Sequence, residues 1–176
     1  MKGRNMKRFL IFCFCICFYW TGTEALAGTE VYFTPSCDCE NRIVSLIQEA
    51  QKQIDVAVYA INNDAIVEAL KSAHNRGVQI RILTDRTQAG QKNSKVKELE
   101  QTGIPLIRHK KYRVQHDKFA IFDKQRAVTG SYNWTNSASR KNAENCFFFS
   151  DRNVKKYDKR FENLWQMNER KLKRST

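Results

Sequence analysis

The sequence predicts an α/β sandwich, in which a mixed, largely parallel β-sheet carries helices on both faces. Two observations support this prediction. Short apolar runs alternate with amphipathic stretches along residues 28–170, and such alternation is typical of α/β folds. No linker rich in Pro, Gly or Ser, no repeat and no low-complexity block interrupts that range. We therefore expect one domain over residues 28–176.

The spacing of apolar residues then predicts each element in order. Short runs rich in β-branched or aromatic residues predict strands at residues 31–33, 54–61, 78–83, 104–107, 119–122, 127–129 and 146–149. Apolar residues at helical spacing predict helices at residues 40–53 and 154–170, and residues 92–102 predict a polar helix that ends at Gly103. A further helix follows residue 61, with Asn63 or Asp64 as its N-cap and Gly77 as its stop.

Residues 1–27 have the pattern of a signal peptide. A basic start precedes the apolar run Phe9–Trp20, which is too short to span a bilayer comfortably. Ala25-Leu26-Ala27 supplies a small-x-small cleavage pattern, with Gly28 as the first mature residue. We expect export to the periplasm or the medium. The alternative is a retained N-terminal anchor, which would bring the protein into contact with a membrane.

The charge of the chain favours polyanionic partners. Its formal net charge is +13, and removal of residues 1–27 lowers this to about +10. A basic protein of this size suits nucleic acid or an anionic membrane surface. The plainer alternative is a basic surface that only keeps the protein soluble.

Three cysteines remain after the predicted leader: Cys37, Cys39 and Cys146. Export would expose them to an oxidising compartment, so we expect one disulfide, from Cys146 to either Cys37 or Cys39, and one thiol. The C-x-C spacing lacks the paired cluster of a zinc site. The sequence also has no Gly-rich phosphate loop, H-E-x-x-H motif, EF-hand or carboxylate cluster. We expect no metal and no cofactor.

The residues that carry chemistry follow one another closely. His116, Lys118 and Asp123 form the pattern H-x-K-x4-D, and Gly130-Ser131-Tyr132-Asn133 forms G-S-x-N. Side chains two apart on a strand share one face, so the imidazole and the ammonium of this motif would lie side by side. A nucleophile, a fixed cation and short polar donors are what is needed to hold and attack a phosphodiester.

The combined pattern resembles the signature of the phospholipase D superfamily. The small exported bacterial endonucleases with a single copy of the motif are the most similar members, and the similarity extends through Asn142–Asn145. The resemblance implies that His116 is the nucleophile and forms a phosphohistidine. It also implies that Lys118 and Asn133 hold the phosphate oxygens, with support from Ser131.

The resemblance implies two further roles in the site. Glu144 would accept a hydrogen bond from the second ring nitrogen of His116 and fix its tautomer. Asp123 would be mainly structural, as a turn residue. Both side chains are counted among the candidate catalytic residues because they belong to the matched pattern.

A single motif leaves the general acid unassigned. The other histidines are His74, on a predicted helix among apolar residues, and His109, whose neighbouring cations would disfavour its charged form. The resemblance implies a homodimer in which two copies of His116 share one site.

The basic run before the motif is the candidate substrate-binding segment. Its cations could follow a nucleic-acid backbone and its tyrosine could stack on a base; the residues are Arg108, Lys110, Lys111, Tyr112 and Arg113. A solvated loop is the alternative. The function expected first is metal-independent cleavage of DNA or RNA. A phospholipase acting on membrane headgroups is the second hypothesis, and a catalytically silent DNA-binding module is the third.

Overall fold

The computed structural model describes residues 28–172, so the predicted signal peptide lies outside the described residues. Within them, seven strands form one sheet in the order β1-β7-β6-β5-β2-β3-β4. The strands are β1 (Thr29–Phe33), β2 (Gln53–Val58), β3 (Gln79–Asp85), β4 (Leu106–His109), β5 (Lys118–Phe122), β6 (Arg126–Gly130) and β7 (Asn145–Phe149). The helices are α1 (Asp38–Glu49), α2 (Asp64–Asn75), α3 (Arg86–Ala89), α4 (Val96–Gln101), α5 (Asn136–Arg140) and α6 (Val154–Leu172).

The predicted mixed α/β sandwich is confirmed, although its sheet is less parallel than expected. In the described part of the chain, β2, β3 and β4 pair in parallel, and the remaining neighbours pair antiparallel. The difference arises from a tight hairpin between β5 and β6, where Asp123 and Lys124 both have positive φ, at 51° and 58°. A three-residue turn such as 123–125 can join only antiparallel strands, whereas parallel neighbours need a crossover such as α2.

The core lies in two layers, one on each face of the sheet. Ala120 and Phe122 of β5 pack with α1 and α2, whereas Phe119 and Ile121 pack with α6. This alternation is the predicted one for β5. None of the helices described between residues 28 and 172 is long and apolar enough to cross a bilayer.

Local details settle several alternatives that the sequence left open. The N-cap of α2 is Asn63, whose side chain accepts a hydrogen bond from the Ile66 N–H at 3.0 Å. Cys146 is bonded to Cys39, and Cys37 is an exposed thiol. The predicted helix at residues 92–102 is shorter, because α4 begins at Val96. The short helices α3 and α5 were not predicted, since four or five residues carry too little periodicity.

Candidate active site

Five of the six candidate catalytic residues lie at one end of the sheet. His116 precedes β5 and Lys118 begins it, while the G-S-x-N loop follows β6 and Glu144 precedes β7. Because β5 runs antiparallel to both β6 and β2, the start of β5 meets the end of each. The same end also receives the carboxyl ends of β2, β3 and β4. Ligands commonly bind at such an edge in α/β sheets.

His116, the predicted nucleophile, is exposed and lies against an aromatic ring. Its imidazole and the Tyr59 ring have centroids 4.8 Å apart and an interplanar angle of 61°. Lys118 Nζ lies 5.2 Å from the centroid of the same tyrosine ring and donates to the His116 carbonyl at 2.9 Å. Tyr59 therefore contacts both members of the predicted nucleophile–cation pair.

Partial burial changes the titration of Lys118. Burial lowers the pKa of its ammonium, and the carboxylates of Glu144 and Asp117 offset part of this effect by favouring the charged form. An ammonium that has lost part of its water shell binds a phosphate oxygen at a smaller cost in desolvation. The site thus presents a charged donor beside an exposed imidazole.

Asp85, a buried residue at the end of β3, fixes the backbone before His116. One carboxylate oxygen accepts the N–H groups of Thr87 and Gln88 at 2.9 and 3.1 Å, which caps α3. The other oxygen accepts the Gln115 N–H at 3.1 Å. A single carboxylate therefore positions the residue that precedes the predicted nucleophile.

The G-S-x-N loop requires its glycine. Gly130 has φ +150°, and a Cβ there would overlap the Asn145 carbonyl group. The next residue, Ser131, donates its N–H to Asn145 Oδ1 and accepts the Asn145 N–H at its hydroxyl, each at 3.0 Å. These two hydrogen bonds between Ser131 and Asn145 join the start of β7 to the end of β6. The Ser131 hydroxyl hydrogen remains available as a donor.

Tyr132 anchors the same loop to the interior. Its hydroxyl lies 2.6 Å from Ser139 Oγ, which in turn donates to Glu40 at 2.8 Å. The Glu40 carboxylate also accepts from the side chain of Asn63, so α1, the cap of α2 and α5 all meet at one buried group. Burial raises the pKa of Tyr132 to about 12, so its hydroxyl stays protonated. This network holds the segment between Ser131 and Asn133.

The predicted hydrogen bond from His116 to Glu144 is not formed. Within residues 28–172 the His116 ring has no hydrogen-bond partner, and the Glu144 carboxylate accepts from Asn142 Nδ2 at 3.0 Å. The reason lies in the backbone of Glu144, which is bonded on both sides to Thr34 at 2.9 and 3.0 Å. In the isolated chain, Glu144 instead acts on the pKa of Lys118.

Asp123 lies at the opposite end of β5 from His116. Its carboxylate accepts the N–H groups of Gln51, Lys52 and Gln53 at 2.8–2.9 Å. Burial alone would raise the pKa of Asp123, but these donors and Arg126 outweigh it, and the pKa is lowered. Asp123 is therefore not a catalytic residue, because its carboxylate holds the start of β2 away from the site. This position agrees with the mainly structural role that the resemblance implied.

The basic run is only partly free to bind substrate. The Arg108 guanidinium forms two hydrogen bonds to Glu100, at 2.6 and 2.9 Å, so it is held in a surface ion pair, and its role as a substrate ligand stays a prediction. Lys110, Lys111 and Arg113 are exposed. Tyr112 is 45% exposed, and one face stacks on His109 with centroids 5.1 Å apart.

His109 supports this loop from inside. Its Nε2 accepts the Tyr112 N–H at 2.8 Å, and its Nδ1 lies 3.0 Å from Asn168 Nδ2. Burial lowers the pKa of His109, which keeps the ring neutral and able to accept. Its second ring nitrogen is therefore not free to serve as a general acid.

Three features of the site were not predicted from the sequence: Tyr59, Asp85 and the Glu40 network. Tyr59 and Asp85 each stand at the carboxyl end of a buried strand, and that position is the signal that could have found them. Glu40 gave no such signal, because a glutamate in the first turn of an amphipathic helix normally faces solvent.

Comparison with known proteins agrees with this geometry. Residues 43–165 match the family described as cardiolipin synthase, PLD-like domain. A phospholipase D of Rickettsia prowazekii is 35% identical over 150 residues, covering 85% of this chain and 73% of the relative. A mitochondrial cardiolipin hydrolase of Chlamydomonas reinhardtii is 34% identical over 128 residues, covering 72% of this chain and 57% of the relative.

Solved structures agree as well. The crystal structure of Nuc, a phospholipase D family member from Salmonella typhimurium, superposes with a TM-score of 0.75 at 26% identity, covering 80% of this chain and 95% of that one. NucT from Helicobacter pylori has the same fold, with a TM-score of 0.72 at 22% identity and coverage of 80% and 96%. The chain therefore belongs to the phospholipase D superfamily, and it is a hydrolase of that family.

Proposed function

We propose that this protein is an exported phosphodiesterase that cleaves nucleic acid, with DNA as the first substrate, without a metal ion. The observation that carries the proposal is the meeting of His116, Lys118, Ser131 and Asn133 at one open end of the sheet. The net charge of +13 and the exposed cations Lys110, Lys111 and Arg113 support a polyanionic substrate.

The proposed reaction has two displacements at phosphorus. In the first, a His116 ring nitrogen attacks the phosphorus, a P–N bond forms and the P–O bond to the leaving group breaks. The leaving oxygen takes a proton from a second, protonated imidazole. In the second, that imidazole removes a proton from water, whose oxygen attacks phosphorus as the P–N bond breaks. Lys118 and Asn133 stabilise the charge on the non-bridging oxygens in both steps.

The second imidazole is the reason to propose a homodimer. His109 is buried and bonded at both nitrogens. His74 lines a cavity with Gly77 and Gln79, at the end of the sheet where β3 begins and away from the site. No other histidine lies in the described residues. A second copy of the chain, placed across a two-fold axis, would supply the missing imidazole as its own His116.

Export is the remaining part of the proposal. It is supported by the basic start, the apolar run Phe9–Trp20 and the Ala25-Leu26-Ala27 pattern. N-terminal sequencing of the protein recovered outside the cytoplasm tests it. A mature chain that begins at Gly28 supports cleavage, and an intact N-terminus on membranes supports the retained anchor.

A phospholipase is the second candidate, and a specific observation favours it. Phe33 is 68% exposed at the active-site end of β1, and Val31 and Phe147 are exposed beside it. Exposed apolar residues beside a site suit contact with a lipid surface. Several relatives also carry the names phospholipase D and mitochondrial cardiolipin hydrolase. The cations of the basic run are compatible with anionic lipid as well as with DNA.

One experiment separates the two candidates. Purified protein is incubated in excess EDTA with plasmid DNA and, in parallel, with vesicles of phosphatidylcholine and of cardiolipin. The nuclease proposal predicts DNA cleavage that EDTA does not abolish and that His116→Ala removes. Lipid turnover with intact DNA would replace the nuclease with the phospholipase. Cleavage that requires an added divalent metal would contradict the metal-independent mechanism.

A further inference from the structure

A small cavity adjoins the predicted active site and carries no charged residue. It has a volume of about 120 Å³ and lies between the end of β2, the α3–α4 connection and the start of α5. Its polar lining consists of amides and hydroxyls, from Asn62, Gln88, Gln91, Asn93, Ser94 and Thr135 among others. The volume equals about four water molecules at ~30 Å³ each, which suits one small ring and not a larger ligand.

The cavity is linked to the nucleophile through Tyr59, although neither Tyr59 nor His116 lines it. Gln88 Nε2 donates to the Tyr59 hydroxyl at 2.9 Å, and the ring of Tyr59 contacts His116. Ala60, which follows Tyr59, lines the cavity, and so does Thr135, two residues after Asn133. We expect a group attached to a phosphate on His116 to extend past Tyr59 toward this cavity.

The chemistry of the lining selects a neutral ligand. The neighbouring cation Lys95 is paired with Asp64 and Glu98 at 2.9 and 3.1 Å and does not line the cavity. A second phosphate would find no cation there. Amides both donate and accept hydrogen bonds, which matches the edge of a heterocycle.

Two of these amides are available. Within the described residues Asn93 has no side-chain hydrogen bond, and Gln91 Nε2 makes one long contact, of 3.5 Å, to the Thr87 carbonyl. We propose that this cavity is a neutral subsite for the base of the nucleoside attached to the scissile phosphate, and that the exposed amides of Gln91 and Asn93 contact that base. The proposal rests on the nuclease function proposed above, and it gives that nuclease a preference for substrates with a base at this position.

The test compares diesters with and without a nucleoside. The substrates are bis(p-nitrophenyl) phosphate and the 3′- and 5′-(p-nitrophenyl phosphate) esters of thymidine. The double variant Gln91→Ala/Asn93→Ala should lower kcat/KM for at least one thymidine ester by about tenfold, because two hydrogen bonds are removed. Its kcat/KM for bis(p-nitrophenyl) phosphate should stay within about twofold of the wild type.

The matched control is Asn41→Ala/Gln48→Ala, which removes two exposed amides from α1. This control should leave all three rates unchanged. Equal loss on every substrate, or no loss on either thymidine ester, would overturn the subsite while leaving the nuclease intact. A wild-type protein that cleaves bis(p-nitrophenyl) phosphate but neither thymidine ester nor DNA would instead overturn the nuclease function.

Discussion

The two ends of β5 carry the two halves of one sequence motif, and their chemistry is opposite. At one end, His116 is exposed and its ring has no hydrogen bond within residues 28–172, while Lys118 bonds a single carbonyl. At the other end, Asp123 accepts three backbone N–H groups and its pKa is lowered. Groups left without partners are free for substrate, whereas fully bonded groups stabilise the fold.

This difference explains the spacing of the motif. β5 spans Lys118–Phe122, so the four residues between Lys118 and Asp123 form the rest of one strand that crosses the core. The motif therefore places His116 and Lys118 at the start of β5 and Asp123 in the turn that follows β5.

Replacement of His116 should abolish turnover and leave stability unchanged. His116→Ala removes the proposed nucleophile, and we expect kcat to fall by about 10⁴-fold or more. The side chain is exposed, so the free energy of unfolding should change by less than about 0.5 kcal/mol. Steady-state kinetics on a phosphodiester, together with urea unfolding, measure both quantities. Residual turnover within about tenfold of the wild type would remove His116 from the chemistry.

Replacement of Asp123 should have the opposite pattern. Asp123→Ala leaves the N–H groups of Gln51, Lys52 and Gln53 without their acceptor, and we expect a loss of about 2–4 kcal/mol in the free energy of unfolding. Activity of the folded protein should stay within about twofold. A variant with normal stability and a greatly reduced kcat would show that the Asp123 end of β5 takes part in catalysis.

The stability gained from Asp123 should depend on pH. Its folded-state pKa lies below the unfolded value of about 3.9, so the carboxylate stabilises the fold above that value. The contribution is lost as the pH falls through the folded-state pKa. The stability difference between wild type and Asp123→Asn should therefore be largest near neutral pH and shrink below about pH 4. A difference that is constant from pH 7 to pH 3 would contradict this assignment.

Replacement of Glu144 should shift the alkaline limb of the rate profile. The Glu144 carboxylate raises the pKa of Lys118 against the effect of burial. In Glu144→Gln the ammonium should lose its proton at a lower pH, so activity should fall earlier as the pH rises. The profile of kcat/KM against pH measures this shift, with Glu30→Gln as a control far from the site. An unchanged alkaline limb would show that Lys118 is not the group titrated.

Removal of the Tyr132 hydroxyl should have the smallest effect. Tyr132→Phe removes the hydrogen bond between Tyr132 and Ser139. The Ser139 hydroxyl, which donates to Glu40, is then held by one partner fewer. We expect a loss of about 1 kcal/mol in stability and a fall of a few-fold in kcat, because the loop that carries Ser131 and Asn133 loosens. Thermal unfolding and kinetics test this prediction. A change confined to stability would mean that the network holds only the fold.

Much of the fold followed from local patterns in the sequence. The strands, an N-cap of α2 at Asn63 or Asp64, and the alternation along β5 were predicted because each depends on residues close together in the chain. The proportion of parallel to antiparallel strand pairs was not predicted, because it depends on how the β5–β6 hairpin inserts beside β2. Periodicity carries no information about which distant strands pair.

The site divides in the same way. The motif predicted which end of β5 holds the nucleophile and the cation. It could not predict that Glu100 neutralises Arg108, nor that Glu144 bonds Asn142, because these pairings depend on side-chain direction in the folded chain. Glu40 was missed for a related reason. It accepts a hydrogen bond from Ser139, far away in sequence, and no spacing rule connects the two residues.

Direct trapping of the covalent intermediate tests the central claim most sharply. A labelled phosphodiester substrate is mixed with excess enzyme, and the reaction is stopped within the first turnover by alkaline denaturant, in which phosphohistidine survives. Peptide mapping by mass spectrometry then locates the phosphoryl group. If His116 is the nucleophile, an adduct on His116 forms and decays at the rate of turnover. Normal turnover with no adduct, or an adduct on another residue, would contradict it.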